Sequence, residues 1–600
     1  MRRVAPISLL TLACAVAASA LPGRTAHSEP PATAATPHLR EFTLQGARLT
    51  LDLAPQVLSL ESPKPPADPS LEATLAGAAY AHGFVPAALL VQKAKQFDDG
   101  LYAAVEIAAQ NGAGTFAGKR ALLDALALAL ADRPPEDGAS AILEAAARLG
   151  GGHQALPAAM EHAVAAQTQA FERESLRSKP IGFYTETPEL SAIFRQDRML
   201  QSELSHGGLD HVVTLLHDDD TLRRTYERYV ALVDGMTNPA AAGTTDVRPL
   251  LAALDTGSPA PTAKRAFFAP SRAPETDLLA RLFPPDAPIP ENFSLAAEMA
   301  RQVHAGTLDL TPRARSGWYD WAIWALEPLA APDRAAEAPK LKLNANYEHS
   351  LGDLFQGTLA LTRETHIKNL SIPQAATAAA PPREAVAYFA PQLRAEPLAT
   401  YYRRRAQGYA FVAGVLRQAF GAAALATLHR NRAQGPVAAS LAEELDAMQA
   451  LFLGAYAAVS DDLGLTAEDG AAAHVAAFET WQANLAQDPD LKRDVRMMVP
   501  LYYDAQRRRT KVLVFLGWSR REVTIGFAAP PRLQALAPDS ASLPADAETP
   551  REVRFVPRYE TVFYPVSAEI LVPRLLDRDQ FRALCDEKRS VAAIVQALQH

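Results

Sequence analysis

The adjacent pair Leu122 and Leu123 is followed by Leu126 and Leu130 at spacings of three and four, with alanine filling most of the positions between them. A period near 3.6 puts such leucines on one face of a helix. Alanine, the strongest helix former, makes up about a fifth of the chain. The same pattern runs from Leu71 to about Glu174, with breaks at Asn111-Gly112, Pro134-Pro135 and Gly150-Gly151-Gly152. It predicts a stack of helical hairpins without a repeat of fixed period. A second helical stretch opens at Thr187-Pro188-Glu189, a capping residue followed by proline at the first helical position. After a proline-rich connection from Gly257 to Pro290, helical patterning resumes at Ser294 and continues to about Gln487, interrupted by the alanine–proline loop Ala375–Pro382.

Beyond residue 490 the alanines thin out. Val495–Tyr503, Lys511–Trp518, Glu522–Phe527, Val553–Arg558 and Thr561–Val572 are strand-like, and Asp577–Gln599 is patterned as a helix. The expected fold class is mainly α (α+β): a large multi-helix body with a small antiparallel β-sheet near the C-terminus.

The first residues, Met1, Arg2 and Arg3, precede an apolar run from Val4 to Ala20 that ends in Ala18-Ser19-Ala20. A basic start, a short apolar core and small closing residues are the marks of a cleaved secretory signal. Residues 1–20 are therefore read as a signal peptide and 21–70 as a Pro/Ala-rich tether with one strand, Glu41–Leu53. Residues 71–178 form an N-terminal helical region, 179–490 a central helical body and 491–600 a sheet region with a terminal helix. The expected location is periplasmic or secreted, with no transmembrane segment after signal removal. A lipid anchor at Cys14 is disfavoured, because Thr11 stands where a lipobox carries leucine. Removal of Cys14 leaves Cys585 alone, so no internal disulfide could form, and its apolar helical setting reads as a buried small hydrophobe. With 59 basic against 67 acidic residues the chain lacks the basic footprint of a nucleic-acid binder.

Chemistry-bearing residues concentrate between Trp318 and Leu370. Trp318, Trp321 and Trp324 lie three apart, along one side of a helix. Leu326 and Leu329 extend the pattern, so core packing is the expected role, with Trp318 and Trp321 as candidate ligand contacts. A long helix is expected from Asn346 to Asn369. His349 and Asp353, four apart, are neighbours on it; such a pair could hold a divalent metal or orient the histidine as a base. With Glu364 and His366 they form the candidate catalytic set, and Arg363, Lys368 and Arg496 are candidate anion contacts. The competing expectation is a polar stripe facing a neighbouring helix or solvent. Glu364 and Lys368 are spaced for a helical ion pair.

Asn111–Arg120 has the glycines and lysine of a phosphate loop, but its spacing is one residue too long and Arg120 replaces the required hydroxyl residue. His211, His217, Asp218, Asp219 and Asp220 admit a metal reading, but Asp220 as the cap of the helix starting at Thr221 is simpler. No HExxH, GxSxG, CxxC or EF-hand pattern occurs.

Several segments, in order, resemble a family of uncharacterised, mostly secreted bacterial proteins known as a domain of unknown function. The segments are Gly182-Phe183-Tyr184-Thr185 with Leu190, Trp318-Tyr319-Asp320-Trp321 with Trp324 to Leu329, and Ser350-Leu351-Gly352 through Arg363-Glu364-Thr365. Ala387 to Pro391 with Tyr401, and Met498 to Asp504, complete the series. Where the family carries His-Asp-Thr this chain has Arg363-Glu364-Thr365, and the family's tryptophan after its LGS element has no counterpart. The resemblance implies a helical extracytoplasmic fold and brings no activity with it. Together these readings predict an exported, non-catalytic binding or envelope-associated protein, its partner an envelope or extracellular ligand. The alternative is an extracytoplasmic hydrolase, metal-dependent in one version, with its site on the 346–369 helix.

Overall fold

The computed structural model describes residues 39–600 except 45–46, 77–82, 131–137, 154, 205–208, 285–286, 369–387, 433–434, 469 and 536–553. The expected signal peptide, Cys14, the first part of the tether and the loop 375–382 lie outside the described residues. The described chain is mainly α-helical, with small sheets of which the larger is built chiefly from residues near the C-terminal end.

Helix α1 (Ala87–Asn111) is the centre of the helical body. It is buried along nearly its whole length; its Ala, Leu and Val pack into the core, and its buried charges, Lys95, Asp98 and Asp99, are each paired, as burial requires. It ends at Gly112, whose φ of +90 and close approach to the Phe116 and Ala117 carbonyls leave no room for a Cβ. Helices α2 (Lys119–Leu130), α3 (Ala139–Leu149) and α4 (Ala158–Arg173) follow at the breaks the glycines and prolines mark. Helix α5 (Pro188–Leu200) starts as read, with the Thr187 side chain accepting from the Leu190 N–H. Helix α6 (Asp220–Met236) corrects its expected cap by one residue: Asp219, not Asp220, accepts from the Thr221 and Leu222 N–H groups.

Helix α7 (Trp318–Trp324) leads to α8 (Ala345–His366), capped by Asn344. Helix α8 is three residues shorter at its C-terminal end than its pattern suggests, and every residue from Gly357 to His366 is buried. Helices α9 (Ala399–Phe420) and α10 (Leu441–Asp462) pack on each other, the second opening with a Ser440–Glu443 capping box.

Strands β1 (Leu39–Leu44) and β2 (Ala47–Asp52) form a hairpin where one strand, Glu41–Leu53, was expected. Strand β3 (Val57–Glu61) corrects the reading of its stretch as tether, since Leu58 and Leu60 are buried and the strand lies inside the main sheet. That sheet runs β5 (Met497–Asp504), β6 (Arg509–Ala529), β3, β4 (Leu341–Leu343), with β7 (Arg558–Val572) also paired to β6. The β5–β6, β6–β7 and β6–β3 pairings are antiparallel, and β3–β4 is parallel. The expected strands 511–518 and 522–527 are one strand, β6, bent where its register shifts between Phe515 and Gly517.

The unbroken apolar run of β6 has a physical reason: both its faces are covered. Leu513, Phe515 and Trp518 belong to the main core. Val512, Val514 and Leu516 face a smaller core with Phe581, Cys585, Ile594 and Leu598. The last four come from α11 (Arg578–Lys588) and α12 (Val591–Gln599). These replace the single expected terminal helix, which breaks at Arg589 (φ +56) and restarts at the Ser590 cap.

Candidate functional site

Helix α8 carries most of the sequence candidates but does not bring them together. Near its start His349 Nε2 lies 3.7 Å from Asp353 Oδ1, and Asp353 also pairs with Arg521 at 3.4 Å. Glu364 lies fifteen residues beyond His349, about 22 Å along a helix rising 1.5 Å per residue. The four candidate catalytic residues therefore form two separate groups. Arg496 is held by Asp494 and Asp586, each at 2.7 Å, and pairs with neither group. Trp318 is fully buried and stacked on Tyr102, and Trp321 stacks on Phe411, which is core packing. Arg363 is buried in an ion pair with Glu275. Glu364 and Lys368 do not form the expected helical pair, because the helix ends between them and each is taken by other partners.

Glu364 is paired with Lys95 of α1 and with Arg578. Lys95 also holds Asp99 at 2.8 Å, and Thr365 donates to Asp99 at 2.6 Å. Burial, only partly offset by Lys95, pushes the Asp99 carboxyl up to about 6. Burial would raise Glu364 as well, but Lys95 and Arg578 outweigh it and hold this carboxyl below its ordinary range. Gly182, at φ +58, lies against the Glu364 carboxylate, and a Cβ there would come within 2.8 Å of it. So the 182–185, 318–329 and 350–365 segments meet in space, since Phe183 and Trp318 both pack on Tyr102, and Trp318 on His366.

On the other side of the α8 terminus lies a cavity of about 70 Å³, walled by α1, α5, α6 and the Phe268–Ser271 segment. His366 sits among the rings of Tyr102, Trp318 and Tyr319. Its Nδ1 lies 3.3 Å from the Met236 carbonyl oxygen. The Tyr102 hydroxyl lies equally close to Nδ1 but gives its own proton to the Met236 carbonyl at 2.5 Å. With both neighbours accepting, Nδ1 carries the proton, and Nε2 presents a lone pair that has no hydrogen-bond partner. Burial, and then the Arg405 charge, drives the imidazole well below its ordinary pKa, so it is neutral. Lys368 Nζ lies between Glu106 (3.2 Å) and Asp197 (3.1 Å), over the Tyr184 ring. Burial opposes its charge, but the two carboxylates outweigh it and raise its pKa. Lys119, the lysine of the phosphate-loop-like segment, closes this group on Asp197. Across the cavity Asp234 and Asp246 share Arg248, at 2.7 and 2.8 Å.

Of these groups, His366 and Lys368 are candidates from the sequence, and Lys119 enters there only through the rejected phosphate-loop reading. Asp197 and Lys119 carried a readable signal: each continues an apolar face, Asp197 after Leu190 and Ile193, and Lys119 before Leu122, Leu123 and Leu126. A charge on such a face must be paired when buried. The Asp234–Arg248–Asp246 group had no such signal, because a loop turn brings its members together. His217 contacts Asp218 at 2.9 Å and Asp255 at 3.8 Å. Among the described residues no group of three or more His, Cys, Asp or Glu side chains is placed to hold a metal ion. No helix of the described residues is long and apolar enough to cross a membrane. No protein family, curated protein or solved structure matches this chain.

Proposed function

We propose that this chain is an exported binding protein of the periplasm or cell exterior, holding a small molecule in the cavity beside His366 and Lys368. The observation that carries the reading is the cavity itself. Its walls come from three long helices, and its charged groups are fixed by partners on different elements, so the site is ordered before a ligand arrives. The separation of His349 and Asp353 from Glu364 and His366 weighs for binding over hydrolysis. The signal-like start of the sequence and the family resemblance support the location. The test is thermal denaturation of the purified protein against a library of small polar metabolites. A ligand that raises Tm, and loses that effect when Ala109→Leu fills the cavity wall, supports the reading. Binding indifferent to Ala109→Leu and Ser271→Leu would sink it.

A further inference from the structure

Resting on that reading, we infer that the cavity takes the head group of a small organic monocation, an alkylammonium or guanidinium. Four carboxylates, Glu106, Asp197, Asp234 and Asp246, line it. Three buried or half-buried cations, Lys119, Lys368 and Arg248, are bonded to them. The two lysines balance Glu106 and Asp197, while Asp234 and Asp246 have one arginine between them. The surplus is one negative charge; Arg315, exposed, acts on Asp234 only at longer range.

Asp246 is committed, since Arg248 bonds it through its backbone N–H and through Nε and Nη2. Asp234 receives Arg248 on Oδ2, and among the described residues no hydrogen bond reaches its Oδ1, while the residue itself lines the cavity. A second, independent feature agrees. His366 is only 3% exposed, lines the same cavity, and carries a neutral Nε2 lone pair with no donor. Such a group calls for an N–H or O–H donor and repels an anion. Tyr102, Tyr229 and Phe268 supply aromatic wall, and ring faces attract cations. At roughly 10–15 Å³ for each water-sized occupant, a cavity of this size admits a head group of a few heavy atoms.

The test is titration calorimetry of the full chain with n-butylammonium, n-butanol and butyrate. The expected result is binding of n-butylammonium at least tenfold tighter than n-butanol, no heat from butyrate, and a loss of at least tenfold for the ammonium in Asp234→Asn. Asp234→Glu, which keeps the charge, should restore most of that loss, and n-butanol should not distinguish the variants. If n-butanol or butyrate binds as tightly as the ammonium, and Ala109→Leu abolishes it, the monocation assignment fails while the binding site stands. If none of the three binds at millimolar concentration, the monocation assignment fails, and the metabolite screen with Ala109→Leu alone decides the cavity reading.

Discussion

Lys95 of α1 and Glu364 of α8 are ion-paired with each side chain only 2% exposed. The pair ties the central helix to the helix that carries most of the candidate residues, and Arg578 extends it to the C-terminal helices. A buried pair of this kind contributes little net stability when whole, but removing one partner costs about 3–5 kcal/mol, because the other is left charged and unpaired. Lys95→Met should therefore lower the free energy of urea unfolding by about that amount. Lys95→Met with Glu364→Gln should recover part of the loss. A single substitution costing less than about 1 kcal/mol, within the range of a surface pair, would refute the buried-pair description.

Asp99 gives the same cluster a pH dependence of definite sign. Its folded-state value, about 6, lies above its ordinary 3.8. Between those values the native chain holds a proton that the unfolded chain has lost. The contribution to stability is thus full below the unfolded value and disappears as pH rises through the folded one. Asp99→Asn removes that term and keeps a polar group for Lys95 and Thr365. The Tm of the variant minus that of the wild type should rise as pH goes from 4 to 7, with most of the change complete by about 6.5. A difference constant with pH would show that Asp99 titrates as an ordinary carboxyl.

Gly182 is required twice over, by its positive φ and by the Glu364 carboxylate 2.8 Å from where a Cβ would sit. Gly182→Ala should destabilise the chain by about 1–3 kcal/mol, the range for a non-glycine residue held at such a backbone angle. Because the added methyl presses on Glu364, the loss should shrink in the Glu364→Gln background, where the displaced group is no longer part of a charged pair. Equal losses in both backgrounds would assign the whole effect to the backbone.

The helical body was legible because its signal is local. Alternating leucine and alanine fix a period, and the glycine and proline breaks fix the ends, so α2 to α5 and the end of α1 fall where the pattern puts them, while α1 begins at Ala87 and not at Leu71, where the pattern opens. Strand β3 was not legible, because its partner on β6 lies more than four hundred residues away and its five residues, Val57–Glu61, sit between proline-rich flanks of linker composition. The expected strands 511–518 and 522–527 leave out Ser519-Arg520-Arg521, a polar stretch between two apolar runs. In the fold Arg521 is buried against Tyr564, with Nη1 donating to Ser350, so the polar stretch continues the strand. The candidate site failed for a related reason. Helical spacing says which side chains are neighbours on α8, but Glu364 and Lys368 are claimed by α1, α5 and α11, and only the tertiary fold decides between partners. Cys585 was read correctly because its neighbours in sequence are also its neighbours in the core.

Cys585 supplies the last test, of the small core behind the sheet. It is buried among Val514, Phe581 and Ile594, and burial pushes its thiol up to about 12. The thiolate is the reactive form, so at pH 8 both access and ionisation protect it. In a Cys14→Ser chain, a disulfide-exchange reagent should find essentially no thiol in the native state and one equivalent after denaturation in urea. Because α11 and α12 cover this face of β6, Phe581→Ala should open the site. It should cost about 3–5 kcal/mol if the cavity does not collapse, and the thiol should become reactive at urea concentrations below those of global unfolding. Rapid labelling of the native parent chain would mean that the terminal helices do not pack on β6 in solution.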